Sequence, residues 1–163
     1  MMLAAPVALA PVVAIAVPAG AGAECPEARE LYYKGLYPEY VAELKRQAES
    51  GDAACQFQVA VAYKDGVIVQ KDFKEALTWY RYAAERGHAF AQFDLGTMYD
   101  YGDGVPIDRD EAARWYRRSA DQGFMMARYN LAVMYDKGVG VGEDKDRARL
   151  LLDLMFAGPG KTF

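Results

Sequence analysis

Few side chains in this sequence are equipped for chemistry. His88 is the single histidine, Ser50 and Ser119 are the only serines, and Cys25 and Cys55 the only cysteines. Nucleophilic catalysis needs a hydroxyl or thiol beside a base that is itself oriented by a third group. The parts for that are too few here. His88 falls between two helical patterns, a helix-start or loop position, and Ser119 sits in a packing position that Ala83 holds 36 residues earlier. Two cysteines and one histidine at these spacings make no zinc site. The acidic stretch DYGDGVPIDRD, residues 100–110, lacks the alternating aspartates and closing glutamate of a calcium loop. The glycines of GVGVG, 138–142, follow no strand and precede no Lys-Ser/Thr pair, which argues against a nucleotide cradle. No catalytic residue, cofactor or metal site is expected.

Charge argues against a second class. The chain of 163 residues carries a net charge of -4 and a pI near 5.1, whereas a nucleic-acid binder needs a concentrated basic face. Arg114, Arg117 and Arg118 form a local basic cluster on one helical pattern and read as its solvated side.

The first 23 residues contain no charge, run apolar from Val7 to Val17, and end in Ala21-Gly22-Ala23. This predicts a secretory signal peptide, residues 1–23, cleaved before Glu24. Pro6, Pro11 and Pro18, with many alanines, make a poor spanning helix, so cleavage is expected over an uncleaved anchor. The mature chain would then be periplasmic or secreted, with no stable membrane insertion. In such an oxidising space Cys25 and Cys55 are expected to bond, the alternative being two buried thiols.

The elements that must position these groups emerge when the chain is written in rows of 36. Residues 52–87, 88–123 and 124–159 align without insertion or deletion, so MYDYGDGV at 98–105 returns as MYDKGVGV at 134–141. A fixed period of this size marks a stacked solenoid. Each row holds two helical patterns. In row two these are Ala91, Leu95, Met98 and Tyr99, then Ala112, Trp115, Tyr116, Ser119 and Ala120. Gly66, Gly102 and Gly138 end the first helices, and Gly51, Gly87 and Gly123 end second helices. Asp72, Asp108 and Asp144 are N-caps, with Glu75 and Glu111 completing capping boxes and Arg147 breaking the pattern in row three. Small residues share three columns: Cys55, Ala91 and Ala127; Ala60, Gly96 and Ala132; Ala76, Ala112 and Ala148. Trp79, Trp115 and Leu151 are expected to fill the space between helices.

The pattern Ala-x-x-x-Leu-Gly-x-x-Tyr-x-x-Gly-x-Gly-Val-x-x-Asp-x-x-x-Ala-x-x-Trp-Tyr-x-x-Ala-Ala-x-x-Gly resembles the Sel-one-like repeat family, relatives of tetratricopeptide repeats. Row two matches almost throughout; row one departs at Ala60 and Ile68, and row three at Leu151-Leu152. The resemblance implies an all-α fold, a right-handed α/α solenoid of helix pairs. Residues 24–51 would form a degenerate leading repeat with a shortened loop, and 160–163 a C-terminal tail.

The resemblance also implies a role in holding protein partners, such as regulating a membrane sensor or assembling envelope machinery. It places the first helix of each repeat on the concave side. The columns expected to face that groove are Gln58, Asp94 and Asn130; Val61, Thr97 and Val133; and Asp65, Tyr101 and Lys137. These vary between rows while the packing columns stay constant. The alternatives are an envelope hydrolase of β-lactam or cell-wall substrates, or a glycan-binding module using groove tyrosines. In the last helix Leu151, Leu152, Met155 and Phe156 form the expected inner face. Leu150 and Leu154 add an outer stripe that the tail with Phe163, a second copy, or another protein would cover.

Overall fold

The computed structural model describes residues 25–156, and every regular element among them is an α-helix. In chain order these are α1 (Pro26–Tyr33), α2 (Tyr37–Glu49), α3 (Ala53–Asp65), α4 (Phe73–Glu85), α5 (Ala89–Tyr101), α6 (Arg109–Asp121), α7 (Met125–Lys137) and α8 (Lys145–Phe156). Each packs against the helices that precede and follow it in the chain, which makes an α/α solenoid. None is long and apolar enough to cross a membrane. The expected signal peptide, the tail and the side chain of Phe156 lie outside the described residues.

The sequence punctuation explains where the helices begin and end. Oδ1 of Asp72 accepts the N–H groups of Lys74 and Glu75, that of Asp108 accepts Glu111, and that of Asp144 accepts Arg147, all between 2.9 and 3.1 Å. The glutamate half of the expected capping boxes does not form. The N-cap amides donate instead to the Tyr63, Tyr99 and Tyr135 carbonyls, at 3.0, 2.9 and 2.9 Å. Those carbonyls lie in the last turn of the preceding helix and lack an intrahelical partner. One bond therefore closes the loop and satisfies two orphan groups, leaving Glu111 free to pair with Arg114 at 2.7 Å.

The paired glycines of these loops have separate tasks. Gly66, Gly102 and Gly138 terminate α3, α5 and α7 in the left-handed region. Gly104 and Gly140 bring the loop against the preceding repeat. A Cβ on Gly104 would stand 2.7 Å from Phe73, and one on Gly140 only 2.2 Å from the Arg109 carbonyl oxygen. This close approach is why the glycine-rich stretch recurs.

A second periodic device joins one repeat to the next. Gln56 and Gln92 donate through Nε2 to the Ala48 and Ala84 carbonyls, at 2.9 and 3.0 Å, and Arg128 donates through Nε to Ala120 at 3.2 Å. The acceptors end α2, α4 and α6. Both glutamines are buried, so leaving their amide N–H groups unmet would be costly.

All three columns of small residues are buried. A Cβ on Gly96 would lie 2.8 Å from the Tyr116 ring, so glycine there lets α5 and α6 approach. Trp115 is buried and Trp79 and Leu151 pack half-buried against the core, but the fully enclosed rings are their neighbours Tyr80 and Tyr116. Leu152 occupies the same column and does not face inward as expected: it is 36% exposed. Tyr80 and Tyr116 have a following repeat beside them, whereas α8 ends the series of described helices. Leu150 is 51% exposed and Leu154 half-buried.

At the other end, Cys25 is the N-cap residue of α1 and stands at disulfide-bonding distance from Cys55, with a Cα–Cα separation of 5.6 Å. Together with Ala28, Leu44, Ala48 and Val59 they form a small core of their own.

Candidate functional site

The columns expected to face a groove divide into two groups. Gln58, Asp94, Thr97 and Asn130 are half-buried and engaged within the fold. Tyr40 donates its hydroxyl to Gln58 Oε1 at 3.3 Å, and Tyr116 donates to Thr97 Oγ1 at 3.2 Å. Asn130 also neighbours the Tyr116 hydroxyl. Asp94 pairs with Lys64 at 3.3 Å beside the buried Tyr80 hydroxyl. Burial raises the Asp94 carboxyl pKa, and Lys64 opposes that rise. Burial also pushes the Tyr80 phenol well up, with the charges of Asp94 and Asp65 adding to it. These groups form a polar seam between first and second helices. Val61 and Val133 are half-buried as well.

The last turn of the first helices behaves otherwise. Asp65, Tyr101 and Lys137 are exposed, Tyr101 to 70%. They share one column, differ in charge and shape, and lie beside loops held by the tyrosine-carbonyl bonds.

The candidates for chemistry are spent on structure. His88 caps α5, its Nδ1 accepting the Ala91 N–H at 3.2 Å, and its ring stacks on Phe57 at 4.6 Å. Burial lowers its pKa, with Asp52 opposing. Ser119 is buried and donates to the Ala89 carbonyl at 2.8 Å. Cys25, Asp52 and Cys55 cluster closely enough to suggest a metal site. The two sulfurs stand at bonding distance from each other and Asp52 accepts the Cys55 N–H as a cap, so the donor set does not suit an ion.

Sequence reasoning missed one constellation. Arg81 donates to the Tyr99 hydroxyl at 2.5 Å, and 36 residues later Arg117 donates to Tyr135 at 2.8 Å. The shared period was the signal that could have revealed this pair. In the third repeat Arg147 joins, donating to the same Tyr135 oxygen at 3.2 Å. Burial acts to raise the Tyr135 pKa, yet hydrogen bonds and charge from Arg147 and Arg117 bring it below the usual tyrosine value. An open pocket of about 400 Å³ is lined here by Arg117, Tyr135, Val141, Gly142, Glu143, Asp144 and Arg147. Of the other basic residues, Arg118 lies over the Trp115 ring at 4.6 Å and Arg114 pairs with Glu111. They stay on an exposed face, as their sequence suggested.

The helix pairs, loop glycines and caps agree with a family model described as Sel1 repeat, which matches residues 53–88, 89–124 and 126–155. The chain belongs to the Sel1 repeat family. Among solved structures, it is similar to a Sel1 repeat protein from Oxalobacter formigenes, with 29% identity and a TM-score of 0.75 over 81% of this chain and 54% of that one. It is also similar to a protective antigen of uropathogenic Escherichia coli strains displaying an SLR fold. That match has 39% identity and a TM-score of 0.69 over 71% of this chain and 25% of the other. The chain thus spans a quarter to about half the length of these Sel1 repeat relatives. No curated protein matches it. Sel1 repeat proteins generally act in protein–protein interaction.

Proposed function

We propose that this Sel1 repeat chain is a protein-binding scaffold of the bacterial envelope, periplasmic or secreted, that holds a partner against the first helices of its repeats. The carrying observation is the contrast between a constant interior and the exposed, varied column Asp65, Tyr101 and Lys137. The half-buried Gln58, Asp94, Thr97 and Asn130 supply the polar floor behind it. A rigid frame with variable exposed positions is how repeat proteins present contact surfaces. The cysteine pair at bonding distance fits an oxidising compartment. Regulation of a membrane sensor, or assembly of envelope machinery, is the class of role this fits. The hydrolase alternative gains no arranged site from His88 and Ser119, which already serve the fold.

A photocrosslinking residue placed at Tyr101, in cells making the protein at native level, tests this reading. One discrete adduct, missing when the probe sits at exposed Lys74 on α4, is the expected result. Equal labelling at both positions refutes it. Exposed Leu150 beside Leu154 supports self-association as a further contact. Sedimentation across concentration checks this, and a constant monomer mass excludes it.

A further inference from the structure

We propose that Arg117, Tyr135 and Arg147 form a binding site for a carboxylate presented by an acidic segment of a protein partner. This rests on the scaffold reading and names the chemistry of one contact within it.

The comparison between repeats carries the inference. The link from α6 to α7 needs one arginine on one tyrosine, as Arg81 on Tyr99 links α4 to α5. The position of Arg147 is Glu111 in the preceding repeat, and that glutamate turns away to Arg114. The third repeat therefore adds a second guanidinium that the link itself does not require. It does so at a first-turn position where a carboxylate favours the helix and a cation does not.

Pairing at the site is incomplete without a ligand, at Arg117 and at the Tyr135 O–H. Asp144 is matched, accepting the Arg147 N–H at 2.9 Å and facing its Nε at 3.1 Å. Glu143 also lines the pocket, but its ion pair is with Lys145 at 3.5 Å and not with either arginine. Arg117 pairs with no carboxylate among the described residues; its contacts are the hydroxyl and ring of Tyr135. The Tyr135 oxygen accepts from both arginines, which leaves its own O–H as an uncommitted donor at the pocket wall. Planar guanidiniums suit a carboxylate because two parallel N–H groups meet its two oxygens. An acid entering the pocket would take those bonds and the Tyr135 O–H together, in a space of about 400 Å³ that fits a side chain or chain terminus.

Arg147→Glu separates recognition from folding, because it restores the residue type of the earlier repeats on an exposed turn. The arginine Nε–Hε resonances of the 15N-labelled protein would be followed during titration with an acetylated, amidated tetraglutamate. Tetraglutamine and inorganic phosphate serve as the other arms. Expected are saturable shifts at Arg117 and Arg147 with tetraglutamate and none with tetraglutamine. Affinity should fall at least about tenfold in Arg147→Glu with no loss of thermal stability. Silent resonances with tetraglutamate, unchanged affinity in the variant, or a response to phosphate alone would each overturn the proposal. An adduct at Tyr101 with a silent pocket removes this site and leaves the scaffold standing. Binding here without any adduct there removes the groove instead.

Discussion

Replacing Gly140 by alanine should open the solenoid at its last repeat. The residue has a φ of +67°, and its missing Cβ would lie 2.2 Å from the Arg109 carbonyl oxygen and 2.8 Å from Met134 Cε. The left-handed backbone costs an L-residue about 1–2 kcal/mol. The contact with Arg109 is with backbone at the first turn of α6, so no side chain can swing aside. Relieving it moves the loop away from α6 by close to an ångström, and overpacking of this kind costs about 1–3 kcal/mol. The sum is roughly 2–5 kcal/mol, a large share of the ~5–15 kcal/mol of an ordinary domain. At about 2–4 °C per kcal/mol the melting temperature falls by roughly 4–20 °C. Hydrogen exchange should show α7 and α8 losing protection first, since a repeat leans only on its neighbours. Gly142→Ala, in the same loop with no atom within 4 Å of its Cβ, is the control and should change stability by less than about 0.5 kcal/mol. If circular dichroism melts place the two variants together, the close approach is not what the recurring glycine is for.

Other outcomes follow from the same geometry. Asp108→Ala removes the cap on the Glu111 N–H and should cost about 1 kcal/mol in urea unfolding. Gln92→Leu removes the Nε2 bond to the Ala84 carbonyl, which keeps the Gly87 N–H, and should cost about 0.5–1.5 kcal/mol, more than Lys74→Ala on the surface. Reducing Cys25–Cys55, separated by 30 residues, should lower stability by about 3.5–4 kcal/mol on the chain-entropy model, read as a melt with and without reductant. His88 has a folded pKa below its unfolded value of about 6.5, so the folded state disfavours the proton. Its contribution is present above that pH and is lost as pH falls through 6.5 toward the folded value. His88→Asn keeps a capping side chain and should flatten that part of a stability-versus-pH curve.

The repeat architecture was legible because each of its determinants is local and recurs. The N-cap aspartates, the terminating glycines and the alanine columns act within a turn or against the adjacent helix, so a period of 36 residues exposes them in a single chain. His88 as a helix start and Ser119 as a packing residue were legible for the same reason. The capping boxes were not, because the N-cap amides found the Tyr63, Tyr99 and Tyr135 carbonyls across the loop, and helical spacing alone does not show that approach.

Residue pattern alone was enough for an all-helical stack with a constant interior and for the expectation that Cys25 and Cys55 bond. Which polar groups meet was settled by the stacking of the helices. It turned Gln58, Asp94, Thr97 and Asn130 into a seam with tyrosines of other helices, left Tyr101 outside, and gathered Arg117, Tyr135 and Arg147 from three helices. Reach explains the division. A repeat period fixes where each backbone position lies, whereas long side chains choose partners across helices by distance and burial, and those exist only once the stack has formed.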